Sequence, residues 1–134
     1  RNICPQRCLL ALLAALVLLV ACSNQESTWD RVQHSAVLRV GLDPTYPPFE
    51  FYDGQPLTGI DVELAQAIAA EYGLAPAFVH FAFDGLYDAL ATEQVDVLIS
   101  ALVISPGRMR DFAYSEPYFN AGEILIVPDE DSRI

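Results

Sequence analysis

Ser105, Pro106 and Arg108 lie six to nine residues past the apolar run 95–99 (Val-Asp-Val-Leu-Ile), and they are the residues whose types and spacing could do chemistry. The run is short, β-branched and carries one acid near its start, the pattern of a buried parallel strand. Ser at a helix N-cap accepts from free backbone N–H groups, and Pro at the next position has no N–H to leave unsatisfied. Arg108 comes three residues after that cap. Backbone donors, the positive end of a helical turn and a guanidinium would thus converge just past a strand end. Such a spot takes an anion, and the planar Arg fork suits a carboxylate. A surface ion pair between Arg108 and Asp111 fits the same residues equally well.

Other chemistry is missing from the sequence. It has no Gly-rich phosphate loop, no clustered His/Cys metal spacing and no Gly-x-Ser-x-Gly elbow, so no catalytic residue, metal or cofactor is expected. Asp84 and Asp88, four apart, have the spacing of a solvated helix face, and His80 that of a strand-face side chain. The 134 residues suit one domain and carry a net charge of -11. All seven basic residues are Arg, and from Cys22 onward five of them face 18 acids, a net of −13. That balance excludes nucleic acid and an anionic membrane face as natural partners.

The first residues have a separate logic. Residues 9–20 are a twelve-residue apolar run behind a short basic segment, too short to span a bilayer comfortably and the length of a signal-peptide core. The run ends in Leu19-Val20-Ala21-Cys22-Ser23, which is similar to the lipobox of bacterial lipoproteins, where the cysteine is lipidated and becomes the new N-terminus. Residues 1–21 are therefore expected to be a lipoprotein signal peptide, with Cys22 the lipidation site and 22–36 a tether and short helix. Cys4 and Cys8 would leave with the signal, so the mature chain could form no internal disulfide.

The elements that must position the site can be taken in order. Residues 28–33 suit a short helix and 37–42 a first strand. The segment 43–49, with three prolines, predicts a stiff loop. Residues 50–52 and 57–60 around Asp53-Gly54 predict a hairpin. Asp61 is expected to cap a helix with Leu64, Ala65, Ile68, Ala69 and Tyr72 on its buried face, ended by Gly73. A second strand over 76–81, a helix to about residue 92 burying Leu86, Ala89 and Leu90, and a third strand over 95–99 follow. A further apolar strand is expected at 123–127. Alternating strands and helices make an α/β fold with an open, mainly parallel sheet, and ligands of such sheets lie beyond the carboxyl ends of the strands. Asp43, Tyr46, Phe83, Ser100 and Arg108 fall there, offering aromatic walls and one cationic anchor for a small carboxylate-bearing molecule.

Four ordered motifs, Gly41-Leu-Asp-Pro-Thr-Tyr-Pro-Pro-Phe49, Gly59-Ile-Asp-Val-Glu-Leu-Ala65, the stretch 96–108 and Phe112-Ala-Tyr-Ser-Glu-Pro-Tyr-Phe119, resemble solute-binding protein family 3. These are extracytoplasmic receptors of polar amino-acid ABC transporters, with the periplasmic-binding-protein-like type II fold of two lobes. The resemblance implies that 37–127 form most of the first lobe, that 128–134 begin the hinge, and that this chain is an N-terminal fragment truncated at the first hinge crossing. It implies that Arg108 clamps the ligand α-carboxylate. Ser100 and the main chain of Ala101 and Val103 would take the carboxylate and the α-ammonium, Tyr46 and Phe83 would flank the side chain, and Asp43 would line its far end. Val103 stands where the family usually has Ser or Thr, and Gly107 where Glu is common. The partners implied are a small amino acid or related carboxylate and an ABC permease, and the place is the periplasm or outer face of the cell membrane, lipid-anchored through Cys22. The family also holds cyclohexadienyl dehydratase, transglycosylase-linked lobes and sensor lobes, which the resemblance leaves as alternatives to the receptor.

Overall fold

The computed structural model describes residues 26–54 and 56–122 together with Ile126. The expected signal peptide, Cys22 and, apart from Ile126, the strand expected at 123–127 lie outside the described residues. The chain divides into two units after Ala101.

The first unit opens with α1 (Thr28–Ser35), where Ser27 caps: its Oγ accepts from Asp30 N at 3.1 Å and donates to Asp30 Oδ2 at 2.7 Å. The helix ends at Ala36, in the left-handed region with φ 53°. Strand β1 (Val37–Leu42) follows and is the centre of the domain. It pairs in parallel with β5 (Ala75–His80) on one side and β6 (Val97–Leu98) on the other, in register Val37↔Ala75 and Val40↔Val97. Asp96 N to Arg39 O (2.9 Å) and Ile99 N to Gly41 O (3.2 Å) extend the β6 side of this ladder across most of the strand expected at 95–99. An open parallel α/β sheet is therefore present, as the alternation of elements implies.

Between β1 and β5 lie a second sheet and a helix. Strands β2 (Thr45–Tyr46), β3 (Glu50–Tyr52) and β4 (Leu57–Thr58) form an antiparallel sheet in the order β2–β3–β4. The expected hairpin is present, and the stiff loop before it also contributes a strand, Thr45 and Tyr46 pairing with Phe51 and Glu50 of β3.

Helix α2 (Ile60–Glu71) corrects the expected cap: Gly59, not Asp61, holds the N-cap position, and Asp61 is fully buried in the first turn. Gly59 has φ 131°, and a Cβ there would run into the Phe49 carbonyl, so the chain needs glycine to bring helix and loop this close. The first helical N–H groups are met by that loop: Ile60 N donates to Pro48 O at 3.1 Å and Asp61 N to Phe49 O at 2.9 Å. The buried face is also rotated. Val62, Ala65 and Ala69 are inside, whereas Ile68 and Tyr72 of the expected face are exposed. Gly73, at φ 68°, ends the helix as expected.

A 3-10 turn (Phe83–Gly85) leads into α3 (Leu86–Ala91), which buries Leu86 and Ala89. The main core joins Val32 of α1, Leu38 and Val40 of β1, Ala65 and Ala69 of α2, and Ile99. Asp96, its side chain 2% exposed, ties this core together: Arg31 of α1 and Arg39 of β1 each place Nη2 2.7 Å from its Oδ1. Burial pushes the Asp96 carboxyl up, and hydrogen bonds from Arg39 and Arg31 outweigh this and hold it below its ordinary value.

In the second unit, Ser105 O accepts from Arg108 N (2.9 Å) and Met109 N (3.1 Å), and Arg108 O accepts from Asp111 N and Phe112 N, both at 3.0 Å. The segment after Ser105-Pro106 is thus a pair of hydrogen-bonded turns and not the expected helix start, and the oxygen that accepts from Arg108 and Met109 is the Ser105 main-chain carbonyl rather than its side chain.

Candidate functional site

In the order β5–β1–β6 the chain leaves β1 toward one side of the sheet and later returns to the other. A crevice at such a reversal, beyond the carboxyl ends of the strands, is where open α/β sheets bind ligands. Three loops of the first unit meet at this end. After β1, Asp43 Oδ2 accepts from Phe83 N at 2.9 Å, which joins the loop after β1 to the turn after β5. Asp43 Oδ1 accepts from Thr45 Oγ1 at 2.8 Å, and Asp43 N donates to Ser100 Oγ at 3.0 Å, which joins β1 to the turn after β6. Asp43, Phe83 and Ser100, proposed separately from sequence, are thus linked in one hydrogen-bonded frame.

The aromatic residues stand at the open side. Tyr46 is 57% exposed and stacks on Phe49, with ring centroids 5.5 Å apart and planes at 13°. Phe83 is 51% exposed although its N–H is fixed by Asp43. Exposed rings on an anchored backbone are available to cover an apolar ligand surface.

Behind the frame the structure differs from what sequence suggested. Ser100 is buried, and its Oγ donates to Glu50 Oε1 at 2.6 Å, so its one hydroxyl proton points into the protein. Ala101 N donates to Asp61 Oδ2 at 2.6 Å, leaving the Ala101 carbonyl as its main-chain group for other partners. Burial pushes the Glu50 carboxyl up to about 8; the hydrogen bond from Ser100 opposes the rise and the neighbouring Asp61 carboxyl adds to it. Glu50 and Asp61 are the two residues of this frame that sequence reasoning passed over. The available signal was an acid between Phe49 and Phe51, and another between Ile60 and Val62.

In the second unit Val103 is exposed. The surface ion pair at the turn belongs to Arg110, whose Nε lies 3.2 Å from Asp111 Oδ1. Among the described residues no group of three or more His, Cys, Asp or Glu is arranged to hold a metal ion.

Known proteins share this sequence and fold. Residues 38–134 match the family model for bacterial extracellular solute-binding proteins, family 3. A probable amino-acid ABC transporter-binding protein of Haemophilus influenzae is 31% identical over 125 residues, 92% of this chain and 49% of that protein. The L-cystine-binding protein TcyJ of Escherichia coli is 36% identical over 98 residues, 72% of this chain and 37% of that protein. The chain therefore spans half or less of the length of these two relatives. Among solved structures, the arginine-bound form of domain 1 from TmArgBP superposes with a TM-score of 0.67 at 40% identity, covering 69% of this chain and 75% of that one. Fold, motifs and relatives agree: this chain belongs to family 3 of the bacterial extracellular solute-binding proteins.

Proposed function

We propose that residues 37–127 supply most of the first lobe of an extracytoplasmic receptor that captures a small amino acid or related carboxylate and delivers it to an ABC permease. The observation that carries this reading is the linked frame at the strand ends, in which Asp43 binds both the Phe83 and the Ser100 loops. Relatives named for binding cystine or arginine support the ligand class. In this reading Arg108 and the Val103 N–H take the carboxylate, the Ala101 carbonyl takes the α-ammonium, and Tyr46 and Phe83 flank the side chain. Ser100 and Asp43 support these groups from behind while Asp43 borders the far end of the pocket. Calorimetric titration of the full-length protein with a panel of amino acids and their decarboxylated amines tests it. At least one acid is expected to bind with its amine at least about a hundredfold weaker, the cost of losing a charged partner; equal binding of acids and amines contradicts it.

The anchoring proposal rests on residues 19–23 alone. A diacylglycerol thioether on Cys22 gives two acyl chains, enough for a stable membrane hold where one chain is marginal. Mass spectrometry of membrane-extracted protein is expected to find lipidated Cys22 at the N-terminus. A peptide retaining Ala21, or an unmodified Cys22, contradicts it.

A further inference from the structure

Glu50 at the start of β3 is 1% exposed and Asp61 in the first turn of α2 is 0% exposed, and the two carboxyls are neighbours that grip the consecutive residues Ser100 and Ala101. Two carboxylates have only acceptors and repel, so holding them together needs a proton. No donor among the described residues reaches Glu50 Oε2, while Oε1 takes the Ser100 hydroxyl. The charged groups facing Glu50 are Asp61 on α2 and Asp43 after β1, both acids. The opposite side of the pair holds the turn after β6, through Ser100 Oγ on Glu50 and Ala101 N on Asp61, each at 2.6 Å. Ala101 sits at φ 45°, a conformation that costs an Ala side chain energy and persists only where neighbours hold it.

We propose that Glu50 and Asp61 act as a one-proton carboxyl pair that positions the Ser100–Ala101 turn, making Glu50 a positioning residue for the ligand site. With the proton in place the pair is one cohesive unit gripping both residues of the turn. With the proton lost, two buried negative charges repel, Asp61 moves off Glu50, and its hold on the Ala101 N–H weakens. The Ala101 carbonyl then loses its fixed direction. This effect on binding rests on the receptor reading, whereas the pair itself does not.

The test uses the full-length protein in three measurements. Carbon NMR of the ligand-free protein with labelled glutamate carboxyls, the Glu50 signal being the one missing from Glu50→Gln, is expected to show Glu50 titrating near 8. Titration in the ordinary range near 4.5 overturns the shared proton. Hydrogen exchange at the Ala101 amide is expected to lose protection in the parent across that titration and to keep it in Glu50→Gln, since the amide can accept from Ser100 and donate to Asp61 without a titrating proton. Equal loss in both overturns the grip on the turn. Calorimetry with L-arginine as the probe is expected to show parent affinity falling about fivefold or more from about pH 7 to about pH 9, and Glu50→Gln falling clearly less, the variant subtracting titration of the probe's own ammonium. Parallel falls overturn the positioning role. If L-arginine does not bind the parent at all, its use as the ligand fails, and the NMR and exchange results still decide the pair.

Discussion

Asp96 shows how much one side chain can carry in this fold. Its carboxylate joins Arg31 of α1, Arg39 of β1 and the β1–β6 ladder, and it also accepts from Arg39 N at 2.8 Å. A buried carboxylate with several donors is stabilised as the anion, and removing its charge leaves two guanidinium groups short of a partner. Both arginines are about a third exposed, so water softens the loss: Asp96→Asn should destabilise the protein by about 2 kcal/mol at neutral pH. The sign with pH is fixed by the direction of the shift. A carboxyl held below its ordinary 3.8 adds stability above that value and gives it up as pH falls through the lowered one. Urea unfolding of parent and variant should therefore converge in acid. A constant gap down to about pH 2, below the ordinary carboxyl range, would show that Asp96 acts by packing and not by charge.

At the scale of elements, what could be seen in the sequence was local. Strand β1, the second strand within a residue at either end, and the Gly73 stop were legible because apolar patterning and glycine act over a few neighbouring residues. Strand β2 was not, since Thr45 and Tyr46 are exposed and have no patterning to announce pairing. The start of α2 was misassigned to Asp61 because an acid before an apolar run is a common cap. Its true role needs the Ala101 amide forty residues on, just as the role of Glu50 needs Ser100 fifty residues on. Local reading prices a buried acid as improbable; only the assembled fold supplies the partners that make it acceptable. For the site the same division holds. Asp43, Phe83 and Ser100 were legible as strand-end residues, but that Asp43 joins them and that Ser100 points inward depended on contacts between distant loops.

At the scale of the whole molecule, the chain spans 37% of TcyJ and 49% of the Haemophilus relative, and in the proposed receptor it supplies one side of the binding site. The proposed contribution of this side is a carboxylate anchor, Arg108. An arginine fork and backbone N–H groups gripping the same two oxygens make paired planar hydrogen bonds that an ammonium cannot reproduce. Arg110, exposed and paired with Asp111, is the control on the same turn. The most direct measurement is calorimetric titration of the full-length protein and its Arg108→Ala, Arg108→Lys and Arg110→Ala variants with the best-binding amino acid of the panel. Arg108→Ala should lose about 2–5 kcal/mol of binding, Arg108→Lys should recover only part, and Arg110→Ala should bind as the parent does. Parent-like affinity in Arg108→Ala, or an equal loss in Arg110→Ala, would contradict the claim.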